Sequence, residues 1–352
     1  RLSSLSDRRA RMDETIKVLI VEDSKSTANA LMQVLDQFDV VGVAENGSQA
    51  LRMNARLRPD VITMDIMLPD TDGLALAKQI LEHRKVPIII VSALVSPDRQ
   101  QLAFDALSAG AYDVFPKSAF HFARSSEREP KLVRLVKAAA SRRRRHTIVR
   151  PTTTVATHRA RRSLLCIGAS TGGPAAHSKV LGDLPSDFSL PIVIAQHMSA
   201  GFVDGFVRWL DTQTALSVEI AVDGQMPEAG RVYLPPSEQH IVVDPGRTLR
   251  LVPLEDDEVC PSVDRLFDSA SRAFGPETIC LLMTGMGDDG ARGMALARQR
   301  NAQTAAQDEK SSVIFGMPKQ AMRLNAARCV LSLDAIATWL LREAGSTRTT
   351  SM

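Results

Sequence analysis

The chain has 352 residues, enough for two domains of ordinary size, and 44% of them are hydrophobic, which excludes a wholly disordered protein. A net charge of +3 is too small to imply a nucleic-acid partner. Apolar runs such as VPIIIVSALV, from Val86, are too short to cross a bilayer, and the opening RLSSLSDRRARMDET lacks the apolar core of a secretory signal, so we expect a cytoplasmic protein with no membrane insertion.

In chain order, KVLIVED from Lys17 reads as a buried strand ending in acids. STANALMQVLDQF follows, with Ala28, Leu31, Val34, Leu35 and Phe38 on one helical face. The alternation continues through the strand VVGVAEN, a helix around SQALRMNARL, the strand VITMDIML and the helix GLALAKQILEHR. It ends with VPIIIVSA, PDRQQLAFDALSAG and YDVFPK. Five strands with intervening helices predict an α/β, flavodoxin-like, doubly wound parallel sheet. KLVRLVKAAASRRRRH then reads as an amphipathic helix ending in cations, and TIVRPTTTVATHRARR as a flexible tether. The run Arg142 to Arg145 reads as a solvated linker face, because no recognition helix follows it.

A second alternation starts at Leu164. Strand-like runs LLCIGAS, PIVIAQH, SVEIAV, VYLPP, ICLLMTGM and TAAQ are separated by helical stretches around GFVDGFVRWL, SVDRLFDSASRAF, ARGMALARQR and SVIFGMPKQAMRL. This half is a second parallel-sheet α/β domain. The resulting organisation is an N-terminal extension over 1–14, a first domain over 15–120, a helix and basic linker over 121–162, a second domain over 163–346, and a tail over 347–352. Cys166, Cys260, Cys280 and Cys329 are scattered with no metal-ligand spacing, and the first, third and fourth sit in apolar runs as small core residues.

In open parallel sheets, ligands collect at the carboxyl ends of the strands. In the first domain those ends carry Glu22 and Asp23, Asp65, Ser92 and Lys117. Gathered carboxylates repel one another unless a hard cation compensates, so Mg²⁺ is the natural occupant. With that charge neutralised, Asp65 can attack a phosphoryl group, and Ser92 and Lys117 can hold its oxygens. The stretches VEDS, MDIMLPDTDG, VSA and GAYDVFPK resemble the motifs of the response-regulator receiver family. That resemblance implies Asp65 as phosphoacceptor, Glu22, Asp23, Asp65 and the Met67 carbonyl as Mg²⁺ ligands, and Ser92 and Lys117 as switch residues. Val114 stands where many receivers have an aromatic residue, and Ser118 where a proline often follows the lysine.

The second domain places a serine between glycines, GASTG, at a strand-to-helix junction. A hydrolase with the chain order Ser, acid, His would need His240, with Asp204, Asp211 or Asp223 before it, and none of those acids follows a clear buried strand. The glycines miss the spacing of a phosphate-binding loop, and capping alone leaves the neighbouring strand ends unexplained. His177 lies two turns along the next helix and points away from the serine. His197 ends PIVIAQH, and Asp288 and Asp289 follow ICLLMTGMG. Serine, imidazole and carboxylate at three strand ends can converge for base-activated nucleophilic catalysis. IGASTGGP, AQHM, MTGMGDDGA and AQDEKSSVIFGMPKQA resemble the chemotaxis protein-glutamate methylesterase family.

That resemblance implies Ser170 as nucleophile, His197 as base and Asp289 as the orienting acid, with the N–H groups of Thr171 and Met286 as oxyanion hole and no cofactor for the ester chemistry. Asp288 replaces an asparagine usual in the family, and an extra acid beside Asp289 could raise one of their pKa values. Met198, Met283, Met286 and Met317 read mostly as core or rim packing. His240 is either a wall of the site or an ordinary turn residue. The expected partners are a chemotaxis histidine kinase as phosphodonor and methylated cytoplasmic domains of chemoreceptors as substrate, with glutamine deamidation as a second capacity. The competing reading is a non-catalytic receptor-binding adaptor.

Overall fold

The computed structural model describes residues 15–93, 97–117, 130–142, 162–255 and 259–345. The N-terminal extension, Ser118, most of the arginine run, the tether and the C-terminal tail lie outside the described residues. The chain forms two compact units, one of residues 1–93 and 109–144 and the other of residues 94–108 and 145–352.

In the first unit, strands β1 (Lys17–Val21), β2 (Asp39–Ala44), β3 (Val61–Met64), β4 (Ile88–Ser92) and β5 (Asp113–Pro116) form one parallel sheet in the order β2-β1-β3-β4-β5. β3 and β4 are buried along their whole length, as expected for strands covered on both faces. Helices α1 (Lys25–Val34), α2 (Gly47–Leu57) and α3 (Gly73–His83) start at Ser24, Asn46 and Asp72, whose side chains accept backbone N–H bonds of their first turns. Helix α4 (Pro97–Ser108) lies between β4 and β5 in sequence. Helix α5 (Lys131–Arg142), read from sequence as part of the linker segment, belongs to the first unit and buries Leu132, Val133, Leu135, Val136 and Ala139.

The second unit has a seven-stranded parallel sheet ordered β14-β13-β12-β6-β7-β9-β8. Its strands are β6 (Leu164–Ala169), β7 (Ile192–Gln196), β8 (Ser217–Ile220), β9 (Arg231–Leu234), β12 (Thr278–Leu282), β13 (Gln303–Gln307) and β14 (Cys329–Leu331). An antiparallel hairpin, β10 (Gln239–Val243) with β11 (Leu249–Pro253), stands apart from that sheet. The helices are α6 (Gly173–Gly182), α7 (Val203–Gln213), α8 (Val263–Phe274), α9 (Ala291–Gln299), α10 (Met317–Arg323) and α11 (Leu333–Glu343). Val263, Leu266, Phe267, Ala270 and Phe274 form a buried stripe at helical spacing on α8, which packs against β6 and β10. Cys166 and Cys280 face one another in register on β6 and β12, fully buried, while Cys329 is half-buried.

β6 is the first strand of this sheet, with β7 on one side and β12 on the other. The direction of winding reverses there, and the crevice such a reversal opens lies beyond the carboxyl ends of these three strands. Several elements differ from the sequence expectation. The helix read from SVIFGMPKQAMRL begins only at Met317, because Ile314 and Gly316 spend their backbone groups on Gly285 and Pro318 sets the first turn. The hairpin, β14 and α11 were not anticipated.

Candidate functional site

At the carboxyl edge of the first unit, Glu22 follows β1, Asp65 follows β3, Ser92 closes β4 and Lys117 follows β5. One oxygen from each of Glu22, Asp23 and Asp65 lies within 4.8 Å of the others. Lys117 Nζ pairs with Glu22 Oε2 at 2.7 Å and with Asp65 Oδ2 at 2.5 Å. Burial pushes the Glu22 carboxyl above its ordinary range, against the opposing pull of Lys117. Burial pulls the Lys117 ammonium down, and its bonds to Asp65 and Glu22 more than reverse that, leaving it raised. Three clustered acids matched by one lysine leave a site with net negative charge, which suits a hard divalent cation. Ser92 is buried, with Pro116, the neighbour of Lys117, as its partner on β5. Met67 is half-exposed, and its N–H donates to Asp65 Oδ1 at 3.3 Å.

In the second unit, the β6–β7 ladder runs in register to Ala169 and Gln196. Ser170 and His197 are therefore the next residues on two adjacent strands, and His197 N–H donates to the Ala169 carbonyl at 3.0 Å. Ser170 N–H donates to the Thr284 carbonyl, which ties the serine to the segment after β12. Contact there is close: a Cβ added to Gly285 would lie 2.8 Å from the Ser170 Cβ and 2.2 Å from the Met317 sulfur. Only glycine lets the β12 segment press against the serine. The same segment supplies Met286. Neither its N–H nor that of Thr171 donates to any group among the described residues, so both are free to donate to an oxyanion.

His197 Nε2 meets Asp289 Oδ2 at 2.7 Å. The Ser170 hydroxyl makes no hydrogen bond to the ring among the described residues. Because Nε2 is taken by Asp289, Nδ1 is the ring nitrogen left to accept a proton.

Asp289 sits at the N-terminus of α8. It accepts N–H bonds from Val263 (2.7 Å) and Asp264 (2.9 Å), and the Ser262 hydroxyl donates to it at 3.2 Å. Burial would raise the Asp289 carboxyl, but His197 and these amides outweigh it and hold the group below its ordinary range. Asp288 is exposed and faces Arg292 at 3.7 Å, so the geometry selects Asp289 as the partner of the imidazole. The acid coupled to Asp289 is instead Asp264, raised first by burial and further by the Asp289 charge.

Three supporting residues escaped sequence reading: Ser262, Asp264 and Gln196. The first two carry a recognisable signal, a serine N-cap followed by an acid in the first turn. His240 is neither a site wall nor a surface turn. It is fully buried on β10, and its Nδ1 accepts the Ser262 N–H at 2.9 Å, steadying the start of α8. Asp211 and Asp223 accept the backbone N–H groups of Val218 and Leu251, so their roles are structural. Met283 and Met317 are fully buried core residues. A mainly apolar cleft walled by Gln196, Met198, Leu234, Pro235, Leu254 and Pro261 opens beside the tip of β7.

Comparison with known proteins bears on the family of the whole chain. Residues 165–340 match the CheB methylesterase family, and residues 18–122 match the response regulator receiver domain. A protein-glutamate methylesterase/protein-glutamine glutaminase of Syntrophus aciditrophicus is 39% identical over 94% of this chain and 99% of its own length. One from Geobacter metallireducens is 39% identical over 92% and 98% respectively. The crystal structure of the Thermotoga maritima CheB methylesterase catalytic domain is 32% identical over 52% of this chain and 99% of its own, with a TM-score of 0.49. With 39% identity to a relative over nearly the whole of both chains, and family matches to both halves, this chain belongs to the receiver-linked CheB methylesterase family.

Proposed function

We propose that the protein is a phosphorylation-activated protein-glutamate methylesterase that removes methyl groups from chemoreceptor glutamates and deamidates receptor glutamines. The observation that carries the chemistry is the 2.7 Å contact between His197 and Asp289, beside a serine in register on the adjacent strand. Ser170 Oγ attacks the carbonyl carbon of the γ-glutamyl methyl ester while His197 Nδ1 takes its proton. Asp289, ionised at the α8 N-terminus, stabilises the imidazolium. The negative oxygen of the tetrahedral intermediate accepts from the Thr171 and Met286 N–H groups. Collapse breaks the C–O bond, and the imidazolium protonates the departing methoxide to give methanol. Water then adds to the acyl-enzyme with His197 again as base, restoring serine and leaving a receptor glutamate. A glutamine substrate follows the same path and loses ammonia.

The receiver supplies the control. Asp65 accepts a phosphoryl group from a histidine kinase, forming an O–P bond as the donor P–N bond breaks. Mg²⁺ held by Glu22, Asp23, Asp65 and the Met67 carbonyl would neutralise the charge that opposes this approach. Lys117, already paired with Asp65, remains beside the new phosphoryl oxygens, and Ser92 stands at the neighbouring strand end. No helix among the described residues is long and apolar enough to cross a membrane.

The test is methanol release from methylated receptor by the full chain, with and without a small phosphodonor and Mg²⁺. Ser170→Ala is expected to lower the rate by about 10⁴ or more. Retained hydrolysis in that variant would remove the serine mechanism, and a parent protein that binds receptor without releasing methanol would favour the adaptor reading.

A further inference from the structure

Gln196 closes β7 and is 4% exposed. Its Nε2 donates to the backbone carbonyl of Ser170 at 2.9 Å and to that of His197 at 3.0 Å. One primary amide therefore bridges the main chain of two residues on different strands. Chemistry fixes which way the amide faces. Both partners are carbonyl oxygens, which only accept, so the NH₂ end must point at them.

The oxygen end points away, against Gly173 and toward the buried ring of His177. A Cβ on Gly173 would stand 1.9 Å from Oε1, so a side chain there would push the amide out of place. The Gly173 N–H also donates to the Ser170 carbonyl at 2.8 Å, which is thus held from two directions.

The sheet itself does not supply this link. Ladder pairing ends at Ala169 and Gln196, and the last cross-strand bond is His197 N–H to Ala169. Beyond it, the chain after Ser170 turns into α6, while the chain after His197 enters an irregular loop. The two strands would part at the residues whose separation matters most. The amide extends their cross-linking by one residue.

We propose that Gln196 is a positioning residue that sets the separation of Ser170 and His197, with Gly173 small in order to admit it. This rests on the assignment of those two residues as nucleophile and base. Misplacement of reacting groups by about 1 Å costs on the order of 10²-fold in rate. Because the amide spends its donors on the main chain, its loss acts chiefly on the chemical step, although Gln196 also lines the cleft beside the tip of β7.

The experiment compares parent, Gln196→Met, Gln196→Glu and Gly173→Ala full-length proteins in methanol release from methylated receptor, alongside Ser170→Ala. Methionine keeps the side-chain length without a donor, and Gly173→Ala displaces the amide while leaving Gln196 in the chain. Both are expected to lower kcat by roughly 10- to 100-fold, with KM within about twofold of the parent. Gln196→Glu regains one donor when its carboxyl is protonated, so its kcat relative to parent rises as pH falls, a trend that packing alone does not produce. A folded Gln196→Met protein with parent kcat would overturn the proposal. Should that variant not fold, parent kcat in Gly173→Ala does the same. Parent activity in Ser170→Ala would instead strike the nucleophile assignment, and the positioning role with it.

Discussion

His177 offers the sharpest quantitative test of how the second unit is built. It lies on α6 with no exposed surface, 6.0 Å from the Phe206 ring, and neither ring nitrogen has a partner of normal hydrogen-bond geometry. Burial pushes the ring from its ordinary value of 6.5 down to about 3, only partly opposed by the nearby Gln196 side chain. The folded protein thus keeps this imidazole neutral at pH values where an unfolded chain protonates it. Below the unfolded pKa the unfolded state binds more protons, so stability falls with falling pH, progressively from 6.5 toward about 3. At pH 5 the 1.5 units below the ordinary value correspond to about 2 kcal/mol, a sizeable share of the ~5–15 kcal/mol that holds a domain together.

Both tryptophans, Trp209 and Trp339, belong to the second unit, so fluorescence-detected urea unfolding reads that unit. His177→Leu should lower the stability lost between pH 7 and pH 5 by about 2 kcal/mol relative to the parent. The pH slope is the quantity compared, because it is insensitive to any packing cost of the new side chain. Equal slopes in parent and variant would mean the folded protein protonates His177, and the account of a dry, unpartnered ring would fail.

Three other outcomes follow from the site. Gly285→Ala inserts a Cβ 2.8 Å from that of Ser170, and methanol-release assays should show kcat reduced by roughly 10-fold or more through a displaced serine. Nitrogen-15 NMR of the imidazoles should find the neutral His197 ring protonated at Nε2, where Asp289 accepts, and bare at Nδ1; the opposite tautomer would contradict the assignment of Nδ1 as base. Asp65→Asn should leave basal hydrolysis unchanged and abolish its stimulation by phosphodonor with Mg²⁺, and a variant stimulated like the parent would refute the receiver's role.

The strand ends of both sheets were legible because most chemistry-bearing residues stand at or just beyond the tips of short, largely apolar runs. LLCIGAS and PIVIAQH announce both a buried strand and the polar residue at its tip. Residues that act through folded proximity were not legible. Gln196 lies 26 positions from the serine carbonyl it holds, and Asp289 lies 26 positions from the Val263 amide that holds it. No spacing rule connects such pairs. Other omissions had signals. Asp244, Pro245 and Gly246 separate the two runs of the β10–β11 hairpin, a turn composition with a known mechanism. On α11, Ile336, Ala337, Leu340 and Leu341 recur at helical spacing behind Asp334 in the first turn.

The orientation of the imidazole follows from the order of the strands. Neighbouring strands lie about 4.8 Å apart, so β7 and β12, with β6 between them, are separated by roughly twice that distance. A histidine at the tip of β7 that engages an acid following β12 must extend across the end of β6, where Ser170 stands. Its far nitrogen, Nε2, is the one that can reach the acid, which leaves the near nitrogen, Nδ1, for the serine on the adjacent strand. Reach alone would not suffice if the acid were free to move. Asp289 is tethered by two α8 amides, and hydrogen bonds to a charged acceptor contribute on the order of 1.5–3 kcal/mol each, enough to hold the carboxylate ionised despite its burial. The reversal of winding at β6 thus does more than open a crevice. It puts His197 and Asp289 on opposite sides of Ser170, which is the order that the proposed mechanism asks of base, acid and nucleophile.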